Sequence, residues 1–87
     1  MDRPWRLDER VAVRAEPFGA LLYHFGTRRL SFLKDPLLLK VVQALADHPS
    51  ARSACESAGV TGPALPAYQG ALATLARSEM IKERAVP

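Results

Sequence analysis

Few side chains in this 87-residue sequence are of types that do chemistry, and their spacing brings none of them into a familiar catalytic set. Cys55 is the only cysteine, so neither an internal disulfide nor a cysteine-based metal site can form. Nucleophilic attack by a thiol needs a neighbouring base, and none is evident; on its face of small residues Cys55 reads as core filler. His24 and His48 fall in different elements and lack an HExxH-type spacing. His24 reads as a surface strand residue, and His48 as a helix C-terminal residue facing the dipole. Asp8 and Glu9 are adjacent, so on a strand they point to opposite faces and do not converge as an acid–base pair. No glycine-rich phosphate loop and no Ser-His-Asp pattern is present. Nothing in these residues points to an enzyme or to a metal site. What remains is a binding question, centred on the basic pair Arg28-Arg29.

The elements that must hold that pair are legible. "RVAVRAE" alternates, with Val11, Val13 and Ala15 on one side and Ala12 and Arg14 on the other. Pro17 and Gly19 mark a turn into "ALLYHF", and Gly26-Thr27 offers a two-residue type II′ loop with glycine first. Such a loop sets Tyr23 opposite Leu30 and Leu21 opposite Phe32 on one apolar face, with Leu22–Ser31 and His24–Arg29 on the other. Asp35 is a good N-cap and Pro36 a good first helical residue for a helix whose Leu38, Val41, Val42 and Leu45 form an apolar stripe. Pro49 closes it, and Ser50 caps a second helix with Ala51, Ala54, Cys55 and Ala58 on one face, ended by Gly59. A third helix over about 65–78 carries Leu65, Tyr68, Leu72, Leu75 and Ala76 inward; Gly70, costly in mid-helix, suggests close packing. "EMIKER" reads as a short strand or a fraying end. The expectation is a single α+β domain over 1–87, a three-stranded antiparallel sheet (strands about 7–33) followed by three helices (about 35–78), winged-helix-like in outline.

Composition bounds the setting. Apolar residues make up 48% and charged residues 24%, mixed along the chain, which is globular rather than disordered. The net charge of +3 favours acidic partners without naming one. No apolar run approaches the ~20 residues of a membrane span. "MDRPWRLDER" lacks the apolar core of a secretory signal. A soluble cytoplasmic protein is the expectation, with no membrane partner.

A winged-helix outline raises duplex DNA as a partner. The third helix would then be the reading element, yet between 65 and 78 its only polar groups suited to phosphates or bases are Gln69 and Arg77. That argues against nucleic acid. The sheet edge offers another route: the third strand, about residues 29–33, ends the meander with free backbone groups. In either hairpin register, that of a two-residue loop or of a four-residue loop with partners shifted by two, Leu30 and Phe32 bond inward while Arg29, Ser31 and Leu33 aim their N–H and C=O groups outward. An extended peptide can add there, its side chains lodged against the third helix. Four added hydrogen bonds at about 1 kcal/mol each fall short of the about 8 kcal/mol of micromolar binding, so apolar pockets must supply much of the affinity. Arg28, Arg29 and Arg77 would attract an acidic peptide; alternatively, Arg28 and Arg29 simply guard the edge against aggregation. A subunit role, with the edge covered by another protein, also fits. Exposed edges self-pair, so a monomer or a weak homodimer is expected.

"VAVRAEPFGALLYHFGTRRLSFLK", "LADHPS" and "LARSEMI" together resemble the mycofactocin precursor-peptide chaperone family, RiPP recognition elements similar to the pyrroloquinoline quinone peptide chaperones. The resemblance runs over nearly the whole chain, most specifically at Glu16–Ala20 and Thr27–Leu33. It implies a non-catalytic adaptor, with no cofactor of its own, that binds the leader of a ribosomally made precursor peptide and delivers it to a radical S-adenosylmethionine maturase. It implies a leader lying along the third strand against the third helix, with Tyr68, Leu72 and Leu75 lining the groove. One departure is Glu79, where the family pattern has glycine; a left-handed cap there is less comfortable, so the last turn is expected to differ or fray.

Overall fold

The computed structural model describes residues 3–84. Along the chain it forms β1 (Trp5–Leu7), β2 (Val11–Glu16), β3 (Gly19–His24), β4 (Leu30–Leu33), α1 (Pro36–Ala44), α2 (Ala51–Ser57), α3 (Leu65–Arg77) and β5 (Ile81–Glu83). Single 3-10 turns at Leu45–Asp47 and Gly62–Ala64 follow α1 and precede α3. β2, β3 and β4 make an antiparallel meander in that order, while β1 pairs with β5 in a separate two-stranded ribbon. The fold is α+β with three helices, and its strands form two sheets rather than the single one expected. "WRL" and "IKE" are too short to show an alternation, which is why β1 escaped the sequence pattern.

The register across the second hairpin is the expected one, Tyr23 with Leu30 and Leu21 with Phe32. The turn that produces it is different. Arg28 takes the left-handed conformation (φ 62°), and Gly26 does not. The Arg28 N–H donates to the His24 carbonyl (2.8 Å), and the His24 N–H donates to the Arg29 carbonyl (3.0 Å). Two residues thus oppose one, a bulge that replaces the type II′ loop. Gly26 is needed for another reason: a Cβ there would stand 2.8 Å from His24 Cε1.

The faces are also reversed from a naive reading of hydrophobicity. Ala20, Leu22, His24 and Leu33 are buried, whereas Leu30 and Phe32 are 61% and 48% exposed on the opposite face with Leu21 and Tyr23. His24 is therefore a buried residue, not a surface one. Its Nδ1 accepts the N–H groups of Gly26 (2.9 Å) and Thr27 (3.0 Å), which places the neutral ring's proton on Nε2, toward Asp8 Oδ2 at 3.6 Å. Asp8 is itself buried and accepts from the Arg10 backbone N–H (2.8 Å) and guanidinium (3.2 Å). Hydrogen bonding by Arg10 holds its carboxyl well below the usual range. The turn is joined to the start of β2 by the Phe25 N–H, which donates to the Arg10 carbonyl at 2.8 Å.

The helices close over the inner face. Asp35 Oδ1 caps α1 at the Leu37 N–H (2.9 Å), and Leu38, Val41, Val42 and Leu45 are all buried. Ser50 Oγ caps α2 at the Ser53 N–H (3.0 Å), Gly59 has φ 97°, and Cys55 sits fully in the core, where burial pushes its thiol up. His48 lies beyond α1, in the segment after the 3-10 turn, with Nδ1 3.4 Å from Ser53 Oγ. Gly70 is not a close-packing site: a Cβ there would meet nothing within 4 Å. At the end of α3 Glu79 adopts the left-handed φ of 63°, and the Met80 N–H closes onto the Leu75 carbonyl at 2.9 Å. The substituted cap keeps its geometry and feeds straight into β5 rather than fraying.

Candidate functional site

β4 lies at the margin of its sheet, and among the described residues no strand pairs with its outer side. Which backbone groups are free follows from the bulge. Hydrogen-bonded and non-bonded pairs alternate along an antiparallel ladder, so the His24–Arg29 bond makes Leu22–Ser31 and Ala20–Leu33 the bonded pairs. Arg29, Ser31 and Leu33 thus bond inward, and Leu30 and Phe32 aim their N–H and C=O groups outward. This is the reverse of the expectation, because the extra turn residue shifts the hydrogen-bonding phase while leaving the Cα register unchanged.

Beside this edge runs a groove of about 520 Å³ between β4, the start of α1, and α3. Leu33, Leu38 and Leu75 give it an apolar floor, and Ala71 and Thr74 form its helix wall. A second hollow of about 160 Å³ continues it past Ala67, Ala71 and Tyr68. Ala67, Ala71 and Thr74 stand at i, i+4 and i+7, one strip of α3, and their small side chains leave the space open. The Tyr68 hydroxyl donates to Asp35 Oδ2, so the residue that caps α1 also ties down the groove's far end. Accepting that proton in a hydrogen bond, the Asp35 carboxylate pushes the Tyr68 hydroxyl up, with burial adding to the shift.

The residues expected at the site divide. Ser31, Phe32 and Leu33 line the groove from the strand, Leu75 from the helix, and Tyr68 its extension. Leu72 does not: it is fully buried in the core. Arg77 is exposed one turn beyond and reaches the groove wall only through Thr74 Oγ1, 3.1 Å from its Nη2. Leu30, Arg28 and Arg29 are exposed at the strand's entry, and neither arginine makes an ion pair among the described residues. Lys34, Asp35, Leu38 and the strip of small α3 residues were not foreseen at the site. The strip was the findable signal, since the 3.6-residue period places it beside the Tyr68–Leu72–Leu75 face. No three His, Cys, Asp or Glu side chains gather to hold a metal among the described residues. What the site offers is an apolar-floored groove beside a strand edge.

A model of the Peptide chaperone MftB family matches residues 4–82. The chain belongs to that family. Its peptide chaperones are non-catalytic. The chain is 61% identical over 80 residues to the Peptide chaperone MftB of Mycobacterium ulcerans, a match covering 92% of this chain and 73% of the relative. It is 60% identical over 83 residues to the protein of the same name from Mycobacterium tuberculosis, covering 95% and 76%. With that of Mycolicibacterium smegmatis it shares 58% over 80 residues, covering 92% and 78%. No solved structure matches the chain significantly. Among the described residues, no helix is long and apolar enough to cross a membrane.

Proposed function

We propose that this chain, as a single domain, binds the leader of a ribosomally made precursor peptide, the mycofactocin precursor, as an added strand on β4, and presents it to a radical S-adenosylmethionine maturase in the cytoplasm. The observation that carries the reading is the β4 edge, unpaired among the described residues, running beside an apolar groove. Strand addition satisfies the outward N–H and C=O groups of Leu30 and Phe32, and the groove receives the side chains that backbone bonding alone cannot reward. The chain contributes position and no chemistry: it fixes one part of the peptide so that another part reaches the enzyme. Membership of a family of peptide chaperones supports the peptide as partner.

Titration of the isotope-labelled chain with the precursor peptide, followed by backbone amide shifts, tests this. The amides of Leu30 and Phe32 are expected to move most, as new hydrogen-bond donors. Undisturbed amides across 28–33 would remove the site. Size-exclusion of the chain with the maturase, with and without the peptide, tests delivery: a complex strengthened by the peptide is expected, and one indifferent to it would favour a purely structural subunit.

A further inference from the structure

The outward-facing backbone residues of β4 are also the residues whose side chains form the exposed apolar outer face. Leu30 and Phe32 have free N–H and C=O groups, and they stand on that face with Tyr23 and Leu21. Phe25 extends it, its ring edge-on to Tyr23 with centroids 5.1 Å apart. Phe32 belongs to both surfaces, since it also borders the groove on the other side of the strand.

A residue paired directly across a ladder shares the face of its partner, and successive residues alternate faces. On an added strand, the residues opposite Leu30 and Phe32 therefore point to the outer face, against leucine and phenylalanine. The residue between them, opposite Ser31, points into the groove. Ser31 presents a short side chain at the groove's mouth, above the Leu33, Leu38 and Leu75 floor, which leaves room for the bulkiest of the three. At the turn end of the strand stand the exposed Arg28 and Arg29, which make no ion pair among the described residues.

Resting on the strand-addition reading, we infer that the site selects a segment apolar at three successive residues. The largest side chain is the middle one, opposite Ser31, and an acidic residue lies at the end beside Arg28 and Arg29. This is an unusual demand. A peptide bound only by the groove would need apolar residues at alternate positions, with polar ones facing solvent.

Selection of a displayed library of random twelve-residue peptides on the intact chain tests this, with amide shifts recorded for the enriched peptides. Shifts at Leu30 and Phe32 together with an enriched apolar triplet are the expected result. Shifts there with an alternating apolar–polar pattern would overturn the two-faced inference and leave strand addition standing. Absence of shifts at those amides would overturn strand addition itself. The paired substitution Leu30→Ser and Phe32→Ser, on exposed positions, is expected to weaken enriched peptides at least about tenfold and to shift a fresh selection toward alternation; an unchanged pattern would count against the outer face. Arg28→Ser with Arg29→Ser is expected to erase the acidic preference at that end, and its persistence would overturn the charge assignment.

Discussion

The three-stranded sheet has two edges, and they are unlike. On β2 the Phe25 N–H to Arg10 carbonyl bond (2.8 Å) sets the ladder phase, so Val11, Val13 and Ala15 carry the outward backbone groups. The Val11 N–H is already spent on the Asp8 carbonyl at 3.0 Å, and Arg14 and Glu16 form an ion pair at 3.0 Å along the strand. On β4 the outward groups belong to large apolar residues, the flanking charge has no ion-pair partner among the described residues, and an apolar groove lies alongside. Both edges offer the same backbone chemistry. A charged, partly occupied edge resists pairing, while one flanked by apolar surface on both sides invites it. An available edge becomes a site through its neighbours.

The harshest way to break the comparison is to remove β4 from the sheet. Gly19 has φ 152°, and a Cβ on it would lie 1.8 Å from the Leu33 carbonyl oxygen. Gly19→Ala must therefore push the end of β4 away from β3. A destabilisation of about 3 kcal/mol or more is expected in urea unfolding, as backbone overlap has no flexible side chain to absorb it. Near-native stability would mean that β4 is held by α1 and not by its ladder.

Proline substitution at each edge sharpens the contrast directly. Phe32→Pro removes an outward N–H from β4, and Val13→Pro removes one from β2, both at positions where an edge strand tolerates proline. Precursor-peptide affinity is expected to fall about tenfold or more for Phe32→Pro, beyond the loss in a Phe32→Ala control, and to stay within about twofold for Val13→Pro. Equal losses at the two edges would deny β4 its special status.

Much of this was legible in the sequence, and the failures share a cause. Asp35-Pro36, Ser50 and Gly59 marked their helix ends because caps are local chemistry. Hairpin register was legible because alternation on both strands has one consistent centre. The turn was not, since an arginine in a left-handed conformation has no sequence signature and the nearby glycine offered a simpler answer. With the turn went the hydrogen-bonding phase, and with that the identity of the free groups. The buried face misled for a similar reason: His24 and Ser31 read as polar, yet the turn's own N–H groups give the histidine's Nδ1 its partners, while Nε2 has no hydrogen bond among the described residues. Of the groove, its strand side was visible. Its helix wall was not, because small residues announce space only once something is placed opposite.

Acid should weaken the Asp8–Arg10 pairing at the start of β2, beside the β3–β4 turn. Asp8 is held below its ordinary value of 3.8 by Arg10, and the more exposed Glu9 is lowered from 4.5 to about 2 by Lys82. Groups with depressed native values bind fewer protons folded than unfolded. Their contribution is complete above the ordinary values and is lost as pH falls from about 4.5 toward and below 2. Stability should therefore decline through that window, and Asp8→Asn should lower it at neutral pH while flattening the decline. An acid limb as steep in the variant as in the parent would place the sensitive carboxylate elsewhere.

The smallest effect is expected on the exposed side of α3. Gly70 lines neither hollow beside β4, and a Cβ on it would touch nothing within 4 Å, although Thr74 Oγ1 donates to its carbonyl at 3.1 Å. Gly70→Ala removes the helix penalty of glycine, which should raise stability by up to about 1 kcal/mol. Because the groove wall is formed by Ala71 and Thr74, peptide affinity should change less than about twofold if the wall is already rigid. A clear gain in affinity beyond the gain in stability would show that ordering of α3 is part of the binding step. The difference between the edges would then rest partly on a helix that firms up against β4, and no longer on the strand alone.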